Sequence, residues 1–338
     1  GEDAALFDAV KAVGMELCPE LDLSIPVGKD SLSMQAQWQA DEGPQKAVSP
    51  VSLVISAFAR VADARRQLLP VLDRGADSEI WLIGLGAGQR RMGGSILAQV
   101  HSAFGGASPD LDEPERLRDF FALVQAARAD GLLLAYHDRS DGGLFATVCE
   151  MAFAARCGLS LILDTVCYDP YMMDVDGLEK KPDTLKGRFA DRLFAGLFAE
   201  ELGAVVQIRR EDRSRITEQL RAARLAYHFI GEPNTKDEIR FRRNAKLVFS
   251  ASRVELLQAW SETSYRIAKL RDDPECVQQE FDALADASNP GLSVALSFDV
   301  REDIAAPFIA SGVRPKVVVL REQGVNSQFE MAAAFERA

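Results

Sequence analysis

The chain has 338 residues, with 39 Lys and Arg against 51 Asp and Glu and a formal net charge of −12. Its 47% hydrophobic and 27% charged residues are ordinary globular usage, which supplies a large core and excludes a disordered chain. The acidic balance argues against a general nucleic-acid or anionic-membrane binder, and no apolar run reaches the roughly 18 residues of a membrane span. The N-terminus GEDAALFDAV is acidic and unlike a signal peptide. Five cysteines (18, 149, 157, 167 and 276) include no Cys-x-x-Cys pair, and only three histidines accompany them. Neither a disulfide framework nor a zinc site is expected, and the chain reads as cytosolic.

Taken in order, Leu6, Val10, Val13 and Leu17 fall at helical spacing ahead of Pro19 and predict a helix over 2–17. LSIPVGKDSLSMQAQW (23–38) reads as strand, tight turn at Gly28-Lys29-Asp30, and a second strand from Leu32. The β-branched run VSLVISAFARV (51–61) predicts a buried strand, and a short helix carrying Arg65, Arg66 and Leu68 is expected before Pro70. One helix and three strands are thin for a self-standing domain, so 1–75 is expected to be the end of a larger one.

A second block follows. Strands are predicted at 79–85, 132–138, 159–163 and 204–209, and helices at 96–104, 117–130, 144–155, 191–202 and 212–224. This alternation predicts a layered α/β (α+β) domain over 76–250. The polar stretch Thr165–Asp191 reads as a surface loop or insertion. Residues 251–275 predict a long helix, and 276–312 an acidic linker, so that 251–312 forms a helical linker region. A strand at 316–320 and a helix at 328–337 make one βα unit at 313–338, which cannot bury its own faces. The sequence is therefore expected to be a piece of a longer protein.

The chemistry-bearing segment is His137-Asp138-Arg139-Ser140-Asp141-Gly142-Gly143, between a strand and a helix. Its carboxylates suit Mg²⁺, and its glycines with the helix N-terminus suit a phosphate. The alternative is that Ser140 or Asp141 caps the helix while the glycines make the turn. Gly28-Lys29-Asp30-Ser31 is a weaker phosphate candidate, because it lacks the first glycine of a P-loop; a hairpin turn with solvated charges is the favoured account of it. Arg90-Arg91-Met92-Gly93-Gly94-Ser95 admits an anion, with a plain strand-to-helix loop as the simpler account. His137 is expected to be a satisfied structural residue, and Cys149, Cys157 and Cys167 small buried hydrophobes. No Ser-His-Asp or Cys-His constellation can be assembled from spacing.

Four segments in register, LSIPVGKDSLSM, AYHDRSDGGLFATVCEMAFAARCGL, LFAEELGAVVQI and PKVVVLREQGVNSQFEMAAAF, resemble the phosphoribosylformylglycinamidine synthase family in its large single-chain form. The resemblance implies a second nucleotide-binding-type synthase domain ending near residue 75, an aminoimidazole ribonucleotide synthetase-like C-terminal domain over 76–250, and the start of a class I glutaminase at 313–338. It implies an ATP-dependent carbon–nitrogen ligase of purine biosynthesis acting on formylglycinamide ribonucleotide, with glutamine as donor through the glutaminase. No nucleic acid or membrane is expected as a partner. By the same resemblance Asp138 holds Mg²⁺ and Ser140 touches ATP or ADP in a structural rather than a turnover site. Gly28, Lys29 and Ser31 align with a Gly-Asn-Val-Ser strip that meets nucleotide, metal and substrate. Lys29 departs from it: a cation cannot ligate Mg²⁺ and must act by direct phosphate contact. The family's catalytic nucleophile, histidine and main ATP loop match nothing here, so the chain alone is expected to be inactive. Two other readings remain: a structural domain with a vestigial nucleotide site, and a free-standing aminoimidazole ribonucleotide synthetase-like enzyme, which the terminal βα unit disfavours.

Overall fold

The computed structural model describes residues 3–29, 34–61, 63–168, 188–324 and 326–337. The N-terminal apolar spacing forms α1 (Asp3–Lys11), continued by a wider π-type turn (Ala12–Leu17) and a last turn α2 (Cys18–Glu20). The next ladder is a hairpin of β1 (Gln35–Ala40) and β2 (Gly43–Val48), closed where Ala40 faces Gly43. Its turn is Asp41–Glu42; the turn expected at 28–30 and the start of the strand expected from 32 run into residues outside the described ones. Residues 23–29 have no ladder partner among the described residues, and Pro26 has no amide hydrogen to give one. Two expectations fail in the same region. Residues 51–61 join no ladder among the described residues, and the helix expected after them is a single 3₁₀ turn, Ala64–Arg66.

The remaining elements build one layered body. They are β3 (Ser78–Gly84), α3 (Ile96–Val100), α4 (Pro114–Ala129), β4 (Leu133–Asp138), α5 (Gly143–Ala155), β5 (Gly158–Ile162), α6 (Arg188–Phe198), β6 (Gly203–Arg209), α7 (Arg213–Ala222), β7 (Ala226–Asn234), β8 (Glu238–Arg243), β9 (Lys246–Ser252), α8 (Arg253–Arg271) and α9 (Pro274–Ala283). The seven strands lie in the order β4-β6-β3-β7-β5-β8-β9. Only β5 and β8 run parallel; the other five neighbouring pairs are antiparallel. The α+β layered class is thus realised, with a closing β7–β8–β9 run that the sequence pattern did not resolve.

Period-two alternation along β3 explains the layers. Ile80 and Leu82 face a core shared with Leu144, Val148 and Met151 of α5 and Leu193 and Leu197 of α6. Trp81 and Ile83 face a second core with Phe120 and Val124 of α4 and Ile216 and Leu220 of α7. The long predicted helix at 251–275 resolves into α8 and α9, broken at Asp272-Asp273, where Asp273 accepts the amide hydrogens of Glu275 and Cys276, both at 3.0 Å. Ser252 and Glu255 form a reciprocal capping box that starts α8.

Residues 1–285 form one compact unit and 286–338 a second. The second unit carries the short α10 (Ala306–Ser311) and α11 (Gln328–Arg337). The predicted strand at 316–320 joins no ladder among the described residues. Among the described residues no helix is long and apolar enough to cross a membrane.

Candidate functional site

The turn between β4 and α5 carries the two site residues the structure groups together, Asp138 and Ser140. β4 ends with Asp138 opposite Ala204 of β6, and the Arg139 amide donates to Gly203 O at 2.8 Å. Residues two apart in a strand share a face, so Tyr136 and Asp138 meet: the phenol donates to Asp138 Oδ1 at 2.5 Å. Burial, followed by the Asp138 carboxylate, pushes the Tyr136 phenol well above its ordinary range, so it remains a proton donor. The ring is braced by Phe120 at 6.5 Å. Asp138 is itself exposed, a fixed carboxylate presented to solvent at a sheet end.

The glycines are required by packing. Gly142 and Gly143 have φ of +81° and +65°, and a Cβ on Gly143 would lie 2.8 Å from Leu197 O and 2.9 Å from Ala199 O, at the end of α6. Gly142 is the N-cap of α5 and no side chain caps it, so neither Ser140 nor Asp141 fills the capping role. Ser140 supplies its carbonyl to the Gly143 amide at 2.9 Å, and the Ser140 and Asp141 side chains are exposed. The Gly142 amide donates to Glu200 Oε1 at 2.8 Å, and the same oxygen accepts from the Ile96 amide at 2.9 Å. An internal carboxylate therefore stands at the glycine turn where the sequence suggested a phosphate.

The donor chemistry fits Mg²⁺ in a limited way. Among the described residues no group of three or more His, Cys, Asp or Glu is placed to hold a metal. Mg²⁺ commonly keeps several waters and takes one or two carboxylates together with phosphate oxygens, so Asp138 fits as a single oxygen ligand. Gly28 and Lys29 lie on the exposed extended segment outside the seven-stranded sheet, and Ser31 lies outside the described residues.

The other candidates resolve into structural roles. Arg91 grips Glu201 through Nε–Oε1 and Nη2–Oε2 contacts, each 2.8 Å, and reaches Asp112 at 2.9 Å. Glu201 is 1% exposed, so this pair is an internal clamp on the loop after β3, and Arg91 is not an anion site. Ser95 caps α3 by accepting the Ala98 amide at 3.2 Å. His137 Nε2 lies 2.9 Å from Glu150 Oε2, and Trp260 Nε1 donates to Glu150 Oε1 at 3.1 Å, the satisfied structural histidine that was expected. Burial, with Glu150 second, pushes the Cys149 thiol up to about 12. Cys157 and Cys167 rise for the same first reason. These thiols are inert core residues. Sequence reasoning missed Tyr136, Glu200 and Glu201. The Tyr-x-Asp spacing on a predicted strand was a usable signal for the first. The two glutamates were hidden because 191–202 read as one helix, whereas α6 ends at Phe198.

Residues 1–60 match the FGAR-AT PurM_N-like domain, and residues 77–243 match the C-terminal domain of AIR synthase related proteins. Among solved structures, Thermotoga maritima PurL complexed with ATP is 15% identical at a TM-score of 0.40, over 56% of this chain and 27% of that one. T. maritima PurL complexed with FGAR is 17% identical at a TM-score of 0.44, over 57% and 30%. Escherichia coli HypE, a hydrogenase maturation protein, is 21% identical at a TM-score of 0.32, over 51% and 48%. This chain thus spans less than a third of each of these two PurL chains. Its two domain matches, in this order, make it a member of the PurM-like, FGAR-AT family.

Proposed function

We propose that the chain is part of an ATP-dependent ligase, phosphoribosylformylglycinamidine synthase in its large single-chain form. That enzyme converts formylglycinamide ribonucleotide, glutamine and ATP to formylglycinamidine ribonucleotide in the cytosol. The observation that carries this reading is the succession of an FGAR-AT PurM_N-like match at 1–60 and an AIR synthase related match at 77–243 in one chain. The reaction is phosphoryl transfer from ATP to the substrate's amide oxygen, releasing ADP, followed by ammonia attack on that carbon and expulsion of inorganic phosphate, with positioned charge offsetting the developing phosphate.

In this reading the β4–α5 turn holds a structural nucleotide rather than the reacting one. Asp138 offers one carboxylate oxygen while Tyr136 fixes the other, and Ser140 donates its hydroxyl to a phosphate oxygen. Gly28, Lys29 and Ser31 form the facing strip, in which Lys29 meets phosphate as a cation. A bound Mg²⁺ at Asp138 would neutralise phosphate charge. Glutamine hydrolysis belongs to a glutaminase domain that begins at 313–338, and its nucleophile lies outside this chain. The chain's partners are then the remaining domains of the same polypeptide. A second reading, a vestigial pocket, is favoured by one contact: Glu200 already takes the Gly142 amide. Product formation tests the main proposal. The enzyme containing this chain should form formylglycinamidine ribonucleotide, and the chain by itself should release no ammonia from glutamine. Ammonia above a buffer blank from the purified chain contradicts the proposal.

A further inference from the structure

Tyr136 is held on three sides. It stands opposite Val206 of β6 in the β4 ladder, and its amide donates to Leu69 O at 3.0 Å on the other edge. Its half-buried ring packs on the core that the sheet shares with α4 and α7, with Phe120 at 6.5 Å. The phenol that reaches Asp138 Oδ1 at 2.5 Å is therefore fixed by a strand and a core, not by a loop.

The carboxylates near the β4–α5 turn differ in what they leave open. Glu200 gives one oxygen to the Gly142 and Ile96 amides, and Glu201 gives both of its oxygens to Arg91. Glu150 divides its two between His137 and Trp260. Asp141 is exposed, and no side-chain hydrogen bond among the described residues fixes it. Asp138 alone of these is fixed at one oxygen and open at the other. Its Oδ1 accepts the phenol, and its Oδ2 has no hydrogen bond or ion pair among the described residues.

We infer that Tyr136 selects the metal at this turn, admitting Mg²⁺ in preference to Ca²⁺. The inference rests on the reading that Asp138 ligates a divalent cation beside a nucleotide phosphate. Mg²⁺ demands a near-ideal octahedron, keeps several waters and takes few carboxylate oxygens. Ca²⁺ takes more oxygens in a looser shell, often both oxygens of one carboxylate. Chelation by both oxygens of Asp138 would set a cation beside the phenol hydrogen, the positive end of that dipole, or break a charge-assisted hydrogen bond. Ligation through Oδ2 alone keeps the bond. Tyr136 is thus a positioning residue, acting on the metal through Asp138.

The test uses the enzyme containing this chain, freed of bound nucleotide and metal with EDTA. Its ADP affinity is measured by calorimetry in saturating Mg²⁺ and in saturating Ca²⁺, for wild type, Tyr136→Phe and Asp138→Asn. The share of binding lost in Asp138→Asn is the share that belongs to this turn. In that share, wild type should bind ADP more tightly with Mg²⁺. Tyr136→Phe keeps the ring and its packing, and should reduce the preference for Mg²⁺ over Ca²⁺ about tenfold, the weight of one charge-assisted hydrogen bond. Equal affinities with the two metals in wild type overturn the inference. So does equal weakening with both metals in Tyr136→Phe, which is what a merely structural residue would give. If the preference survives Tyr136→Phe while Asp138→Asn loses binding, the selecting role fails and the reading of Asp138 stands. Binding indifferent to Asp138→Asn overturns that reading, and the inference with it.

Discussion

Residues 79–85 and 51–61 are both apolar, β-branched runs, and they meet opposite fates. The first forms the interior strand β3, laddered on both sides, with Ile80 and Ile83 at 0% exposure. The second joins no ladder among the described residues, with Val54 at 93% and Phe58 at 95%. Strand-like composition states a demand for two flanking edges and a covering layer. β3 finds them in β6 and β7 and in the helices above and below. In the proposed enzyme, 51–61 finds them in the rest of the N-terminal-type domain.

The contrast is sharpest at Phe241 and Phe58. Phe241 is fully buried and stacks on Phe145 at 5.4 Å. Phe241→Ala should cost about 3–5 kcal/mol in urea unfolding of the chain, as large-to-small core changes do. A cost near zero would mean that the described core is not the folding core. At the layer's margin, Ser252→Ala removes one half of the α8 capping box and should cost about 1 kcal/mol. A smaller effect is expected with pH. His228 is depressed below 6.5 in the folded state, so the unfolded chain binds the proton more readily. Its contribution is present above pH 6.5 and is lost as pH falls through 6.5 toward the folded value. His228→Gln should flatten that part of the acid limb, and superimposable limbs would contradict the assigned shift. Smallest of all, Phe58→Ala should stay within about 0.5 kcal/mol in this chain. Slow hydrogen exchange across 51–61, or a large cost for Phe58→Ala, would erase the difference between the two runs.

Most of the layered body was legible because its elements obey a period. α4, α5 and α7 show their buried faces in the sequence, and β3, β4 and β6 are short apolar runs bounded by turn residues. What was not legible depends on partners far along the chain. β8 reads EIRFRR: Ile239 and Phe241 alternate with arginines as in a half-buried strand, but the run is short and charged and no strand was assigned to it. The second strand of the 35–48 hairpin was not read from the sequence, since it opens with Gly43 and Pro44, residues that argue against a strand. At the site, residue types singled out the β4–α5 turn as the candidate. They carried no sign of Glu200, whose approach to Gly142 spans 58 positions of chain.

The central claim concerns Asp138, and nucleotide content tests it most directly. The enzyme containing this chain should be purified as wild type and as Asp138→Asn, its bound adenine nucleotide quantified and its melting temperature recorded. A ligand bound only to the folded state stabilises it by linkage, so loss of the nucleotide and a lowered melting temperature are predicted together. Unchanged nucleotide content with an unchanged melting temperature would contradict the metal role and leave the turn as structure alone.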